Sequence, residues 1–296
     1  MSSSPPLIPG LSAVVERYDG FIFDLWGCIH NGVAPFPGVL DALAQARAHG
    51  KRRIVLSNAP RRSQAVGGSM AALGVDPALF DAILCGGESA WLALRDRHGP
   101  KADPWHAKLG RRALHIGAAR DLGMFEGNGV ERVTDPAAAD FILITGPQDD
   151  SNDLAEHEPV LRAARARNLP MVCANPDLDV IKGTTRLLCA GAVAARYAAL
   201  GGDVRQHGKP DPAIYDMAVE LLGVRDRRRI LALGDSFHTD VAGARGAGID
   251  VAFIPGGIHA DEFGFRPGVD PSAAMVAPLV TRYGVTPTYI LPELRW

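Results

Sequence analysis

Gly20-Phe21-Ile22-Phe23-Asp24-Leu25-Trp26-Gly27 is an apolar run that delivers a carboxylate at its end. The unbroken run before the acid reads as a buried strand, because a strand covered on both faces shows no polar alternation. A turn follows such a strand, so Asp24 is expected at the carboxyl edge of a sheet, where open α/β sheets bind ligands. Taken alone, an aspartate there also serves as a turn or helix-cap carboxylate. Its company along the chain decides between the two.

Beyond Gly27, Val39, Leu40, Leu43 and Ala46 recur at helical spacing between Pro37 and Gly50, which predicts a helix over 38–49. Lys51 to Leu56 is basic and then apolar, a second buried strand ending at Ser57-Asn58. Strand, helix and strand make a right-handed βαβ unit, so Ser57 and Asn58 share the sheet edge of Asp24. Helices over 61–73 and 88–97 and a strand over 82–84 continue the pattern. Between His98 and Trp105 the composition turns to Gly, Pro and charge, and a second α/β pattern begins. Its strands are expected over 113–116, 131–134, 141–145 and 171–174, and its helices over 118–122, 154–167 and 191–200, with a loop at Asn175-Pro176-Asp177. The closing third returns to the first pattern. Gly208-Lys209-Pro210 precedes a helix over 213–222, and a strand over 229–233 runs into Gly234-Asp235-Ser236-Phe237-His238-Thr239-Asp240. A helix to Gly248, a strand over 250–254, a helix over 273–283 and an edge strand over 288–290 complete the chain. The expectation is an α/β fold in which residues 1–88 and 201–296 build a core domain with a parallel sheet and residues 89–200 an inserted α/β domain.

The 296 residues are 47% hydrophobic and 22% charged, a globular composition that fits one large domain or two. A net charge of −2 offers no global field for nucleic acid or an anionic membrane. The 4 cysteines, Cys28, Cys85, Cys173 and Cys189, form no CxxC pair, which argues against a zinc ribbon, a redox motif or a disulfide scaffold. The first residues lack the basic region and apolar block of a signal peptide, and nowhere do about 18 apolar residues run together. A cytoplasmic protein is expected, with its oligomeric state open to a homodimer.

The strand ends carry Asp24, Ser57 with Asn58, Lys209, Asp235 and Asp240. Carboxylates gathered in one place repel and raise one another's pKa unless a divalent cation neutralises them. An all-oxygen site suits Mg²⁺, which keeps waters that a phosphate oxygen displaces. Lysine and serine supply the remaining donors around a transferred phosphoryl group.

Phe23-Asp24-Leu25, Leu56-Ser57-Asn58, Gly208-Lys209-Pro210 and Gly234 to Asp240, in that order, resemble the four motifs of the haloacid dehalogenase superfamily. The insert with Ala174-Asn175-Pro176-Asp177 resembles the large C2-type α/β cap of its class IIA branch, the NagD-type and pyridoxal phosphatases. The resemblance implies a Rossmann-like core and a Mg²⁺-dependent phosphatase of a small phosphorylated metabolite such as a sugar phosphate, nucleotide or cofactor phosphate. By position it makes Asp24 the nucleophile that forms an aspartyl-phosphate, and gives the phosphoryl oxygens to Ser57 and Asn58. It makes Lys209 the cation that holds the phosphoryl charge and the nucleophile, and Asp235 a metal ligand beside Asp24 and the main-chain carbonyl of Trp26. Asp240 would orient metal-bound water.

One position departs from the family pattern: the second aspartate, two residues beyond the nucleophile, is here Trp26. Trp has no titratable proton, so the acid–base help worth roughly 10²- to 10⁴-fold is missing or comes from elsewhere. His30 is the nearest candidate, with an ordinary pKa of about 6.5 that suits the task. Three readings stay open: a phosphatase, a metabolite-binding or regulatory protein on the same scaffold, and another displacement such as dehalogenation. Asn175 and Asp177 either face the substrate or make an Asx turn at Pro176. Among the paired arginines only Arg61 and Arg62 follow Ser57 closely enough to touch an anionic substrate, and Cys28 reads as a small packed residue.

Overall fold

A computed structural model describes residues 4–265 and 271–296. The opening segment runs β1 (Gly20–Phe23), α1 (Val39–Ala48), β2 (Arg52–Ser57), α2 (Ser63–Ala72), β3 (Ala82–Cys85) and α3 (Gly86–Arg95). The middle runs α4 (Pro104–Ala107), β4 (Arg112–Ile116), β5 (Glu131–Val133), β6 (Phe141–Ile144), α5 (Glu158–Ala166), β7 (Met171–Cys173), β8 (Asp179–Lys182), β9 (Thr185–Leu188), α6 (Ala190–Ala199) and β10 (Val204–Gln206). The close runs α7 (Pro212–Leu222), β11 (Ile230–Gly234), α8 (Ala242–Gly246), β12 (Asp250–Phe253), α9 (Ala273–Tyr283) and β13 (Tyr289–Ile290).

The core sheet has the order β13-β12-β11-β1-β2-β3, and every pair in it is parallel. All residues of β1 are buried, which accounts for its unbroken apolar run. Phe21 and Phe23 pack on one face with Val55, Leu231 and Leu233, whereas Ile22 packs on the other with Ile54, Leu56 and Ala232. Successive side chains of a strand point to opposite faces, so both layers of the core begin in this one strand. Strand order reverses between β1 and β11, and that crevice is the ligand-binding position of such sheets.

The second sheet, β10-β7-β6-β4-β5, is also parallel. Leu161 of α5 and Val193 and Tyr197 of α6 cover one face. Ala90, Trp91 and Leu94 of α3 cover the other, against Ala113, Phe141, Leu143 and Val172. This inserted body is longer at both ends than the expected 89–200. Helix α3 starts at Gly86 and turns its apolar stripe to the second sheet, and β10 is that sheet's edge strand. Val204-Arg205-Gln206 is too short and too polar to announce a strand. The antiparallel hairpin of β8 and β9, closed at Lys182↔Thr185, falls where the sequence reading assigns no element. Gly183 takes the left-handed backbone at its tip, with φ +61°.

Candidate active site

Phe23 of β1 lies in register with Leu233 of β11 and with Val55 of β2. Asp24 and Asp235 therefore leave the sheet side by side where strand order reverses, and Ser57 ends the neighbouring strand. Asp24, Ser57, Lys209, Asp235 and Asp240 are all buried, and all line one cavity of about 1200 Å³ between the core and the inserted cap.

Lys209 stands at the centre. Its Nζ donates to Asp24 Oδ1 at 2.5 Å and to Asp240 Oδ1 at 2.7 Å. The loop that carries it is pinned by Asn58, whose Oδ1 accepts the Lys209 N–H at 2.7 Å while its Nδ2 donates to the Lys209 carbonyl at 3.2 Å. Asp240 Oδ2 accepts the Ser236 N–H at 3.1 Å, which closes the loop after β11. Gly234 permits this, because a Cβ there would fall 2.1 Å from the Asp240 carboxyl carbon.

Burial pushes Asp24 up to about 7 although Lys209 pulls the other way, and burial beside Asp24 and Asp240 pushes Asp235 well above the usual carboxylate range. The two carboxylates hold Lys209 protonated, well above its ordinary value against the opposing effect of its burial. Three buried carboxylates face one ammonium, and the uncompensated negative charge calls for a further cation. Ligand atoms of Asp24, Asp235 and Cys28 lie within 4.8 Å of one another. Burial and the neighbouring carboxylates raise the Cys28 thiol well above its ordinary value, so it stays protonated and the oxygen donors are Asp24 and Asp235. Glycines leave room for the Asp235 carboxylate: a Cβ at Gly27 would fall 2.0 Å from Oδ2, and one at Gly257 1.8 Å. The Ile258 N–H donates to the same oxygen at 2.7 Å. This hard-oxygen cradle fits Mg²⁺.

Several expected residues have other work. Both oxygens of Asp240 are taken by Lys209 and Ser236, so Asp240 orients the lysine and lies outside the cluster that could hold a metal. The Asn58 amide bonds Lys209 and Asp177 Oδ1, 2.8 Å away, and the residue also lines the cavity. Asn175 Oδ1 accepts the Asp177 N–H at 2.9 Å, the Asx turn of the two alternatives, although both residues also line the cavity. Burial raises Asp177 to about 6. His30 is buried, its Nδ1 accepts the Gly32 N–H at 3.0 Å, and burial lowers it to about 4. Burial thus favours its neutral form. The Trp26 ring packs edge-on against His30 with centroids 4.9 Å apart. Arg62 is bound bidentately to Glu88 and stacked 3.5 Å from the Trp91 ring, whereas Arg61 lines the cavity.

The cap reaches the core at the hairpin, where the Gly183 N–H donates to the Asn31 carbonyl at 2.8 Å, and at Asn58–Asp177. Nothing in the spacing of β8 and β9 pointed to the site, since their lining role comes from the tertiary path of the insert.

Models of haloacid dehalogenase-like hydrolases match residues 21–131 and 125–248, and one described as HAD-hydrolase-like matches 206–294. A haloacid dehalogenase-like hydrolase from Brucella suis is 34% identical, with a TM-score of 0.80 over 97% of this chain and 100% of its own. This chain belongs to the haloacid dehalogenase-like hydrolase family. Among further relatives of this hydrolase, D-glycerol 3-phosphate phosphatase of Mycobacterium tuberculosis is 29% identical over 84% of the chain and 66% of its own length. The chain thus spans just under two thirds of that protein. A glycerol phosphate phosphatase from the same organism, solved in complex with magnesium, is 25% identical with a TM-score of 0.66 over 94% of this chain and 76% of its own.

Proposed function

We propose that this hydrolase is a Mg²⁺-dependent phosphatase of small phosphorylated metabolites, with Asp24 as nucleophile. The observation that carries the reading is the buried ammonium of Lys209 bridging Asp24 and Asp240 beside the Asp235 carboxylate. Asp24 is held by Lys209 through Oδ1, which leaves its second carboxylate oxygen to attack phosphorus. Attack gives an aspartyl-phosphate and expels the alcohol, and water then releases inorganic phosphate, so one hard hydrolysis becomes two easier steps. Lys209 and the Ser57 hydroxyl face the phosphoryl oxygens, and their fixed charge and dipole stabilise the negative charge of the transition state. A bound Mg²⁺, held by Asp24, Asp235 and the main-chain carbonyl of Trp26, would supply Lewis-acid neutralisation of that charge. Asp240 keeps Lys209 in place, and the cap excludes bulk water.

With Trp26 where a proton donor stands in the family pattern, alkyl esters are expected to turn over more slowly than esters whose leaving group departs without a strong acid. Relatives named as a glycerol phosphate phosphatase, one of them solved with magnesium, support both the reaction class and the metal. Incubation with a panel of phosphate esters and Mg²⁺ tests the reading: phosphate is released by the wild type, and release falls to background in Asp24→Asn. Absence of release, or release that survives Asp24→Asn, rejects it. Trp26 favours one second reading, tight metabolite binding without turnover, and ready turnover excludes that.

A further inference from the structure

The cap carries a built polar pocket that phosphoryl chemistry does not use. Asp121 is 3% exposed. Its Oδ2 accepts the Thr145 hydroxyl at 3.0 Å, and Thr145 Oγ1 lies 3.0 Å from His115 Nε2. The hydroxyl has a single hydrogen, spent on Asp121, so His115 is the donor to Thr145. Burial lowers His115 to about 4, which keeps the ring neutral with one N–H to give. Gly117 presses the backbone onto this pair, because a Cβ there would fall 2.0 Å from Thr145 Oγ1.

Asp121 Oδ1, by contrast, is buried with no hydrogen-bond partner. A buried acceptor left unmet carries its full desolvation cost, so an oxygen held this firmly invites a donor from outside the chain. Arg61, in the same loop as Ser57, brings its Nε to 3.9 Å from that oxygen, too far for a hydrogen bond. Among the described residues its guanidinium donates no hydrogen bond, and its side chain is 27% exposed. The neighbouring Arg120 is already bound by Asp150. An unpaired acceptor closed off from solvent thus lies beside a partly exposed donor, Arg61, whose side chain can swing aside to uncover it, in the cavity that also holds Asp24 and Lys209.

We propose that Arg61 of the core and Asp121 of the cap form a leaving-group subsite that selects hydroxyl-bearing, polyol-type phosphate esters; this rests on the phosphatase reading and deepens it. A hydroxyl donates to Asp121 Oδ1 and accepts from Arg61 with one atom. An ammonium satisfies the carboxylate alone, and a second anion satisfies the guanidinium alone. The pair sums to zero charge, which suits a neutral leaving group. Arg61 is long and rotatable, so it moves with the incoming group, whereas Thr145 and His115 keep Asp121 fixed.

The test compares glycerol 3-phosphate with propyl phosphate, which has the same carbon chain and no free hydroxyl. The wild type favours glycerol 3-phosphate at least tenfold in kcat/KM, and Asp121→Ala and Arg61→Ala each lower that ratio at least fivefold. The ratio is internal to each protein, so a general loss of activity cancels. Calorimetric titration of the Asp24→Asn protein with the same two esters keeps the test independent of turnover, with glycerol 3-phosphate binding at least tenfold tighter. Equal treatment of the two esters, or a preference that survives both substitutions, overturns the subsite. A wild type that releases phosphate from neither ester nor from any other member of the ester panel, while Asp24→Asn keeps the tenfold binding preference, supports the subsite and rejects the phosphatase reading instead.

Discussion

Gly257→Ala tests whether the cradle around Asp235 is what holds the metal. Gly257 has no left-handed backbone to defend, so alanine is tolerated by the chain and only the space is contested. The added Cβ falls 1.8 Å from Asp235 Oδ2 and 2.4 Å from its carboxyl carbon. Restoring a contact of about 3.5 Å requires the carboxylate oxygen to retreat by about 1.7 Å. That breaks the 2.7 Å bond from the Ile258 N–H, a charge-assisted contact worth about 1.5–3 kcal/mol. It also takes Oδ2 away from Asp24, and misplacement of about 1 Å costs about 10²-fold in rate. Hydrolysis of p-nitrophenyl phosphate is followed across a Mg²⁺ titration, with circular dichroism melting as the control for folding. The variant is expected to fold, to need at least tenfold more Mg²⁺ for half-activation, and to lose about 10²-fold in kcat. A folded Gly257→Ala protein with the wild-type Mg²⁺ response refutes the assignment of Asp235 to the metal.

Trp26→Asp restores a titratable group at the vacant position, and kcat on alkyl phosphates is expected to rise at least tenfold, within the roughly 10²- to 10⁴-fold that acid–base help supplies; an unchanged kcat means that proton donation is not limiting. His30→Asn leaves the acid limb of the kcat/KM profile between pH 5 and 8 where it was, because the histidine, at about 4, does not titrate there; a shifted limb contradicts that. Asp177 is raised to about 6 in the folded chain, so its carboxylate form opposes folding once pH exceeds its unfolded value of about 3.9, and this opposition grows until pH passes the folded value. Asp177→Asn keeps an acceptor for Asn58, and its gain in thermal stability over the wild type is expected at pH 7.5 and about half as large at pH 5. At about 1.4 kcal/mol per pKa unit, discounted for the partly open cleft, the gain is about 1–2 kcal/mol; equal gains at both pH values contradict the burial argument.

Much of the core half of the site was legible because three of its residues end buried apolar runs. Asp24, Ser57 and Asp235 follow β1, β2 and β11 directly, and a parallel sheet brings such strand ends to one edge whatever their distance in sequence. Lys209 and Asp240 were legible from the ordered motifs around them, but the partners of Asp240 were not, since only coordinates show both its oxygens spent on Lys209 and Ser236. The environment of His30 was not legible, because its ordinary pKa describes an exposed ring and burial lowers it. The cap half was illegible for a different reason. Asp121, Thr145 and His115 are single polar residues with no common spacing, joined only when β4 and β6 pair in register. The hairpin of β8 and β9 and the edge strand β10 are too short for their patterns to stand out.

Because the inserted sheet ends with Val204–Gln206, only His207 and Gly208 separate its last strand from Lys209. At the other crossing β3 passes into α3 without an intervening linker. Anyone building chimaeras between this hydrolase and its kin therefore has two usable seams, beside Cys85 and within His207-Gly208. A graft cut at residue 200 would leave the donor's border strand behind and splice the recipient's lysine loop onto a foreign edge.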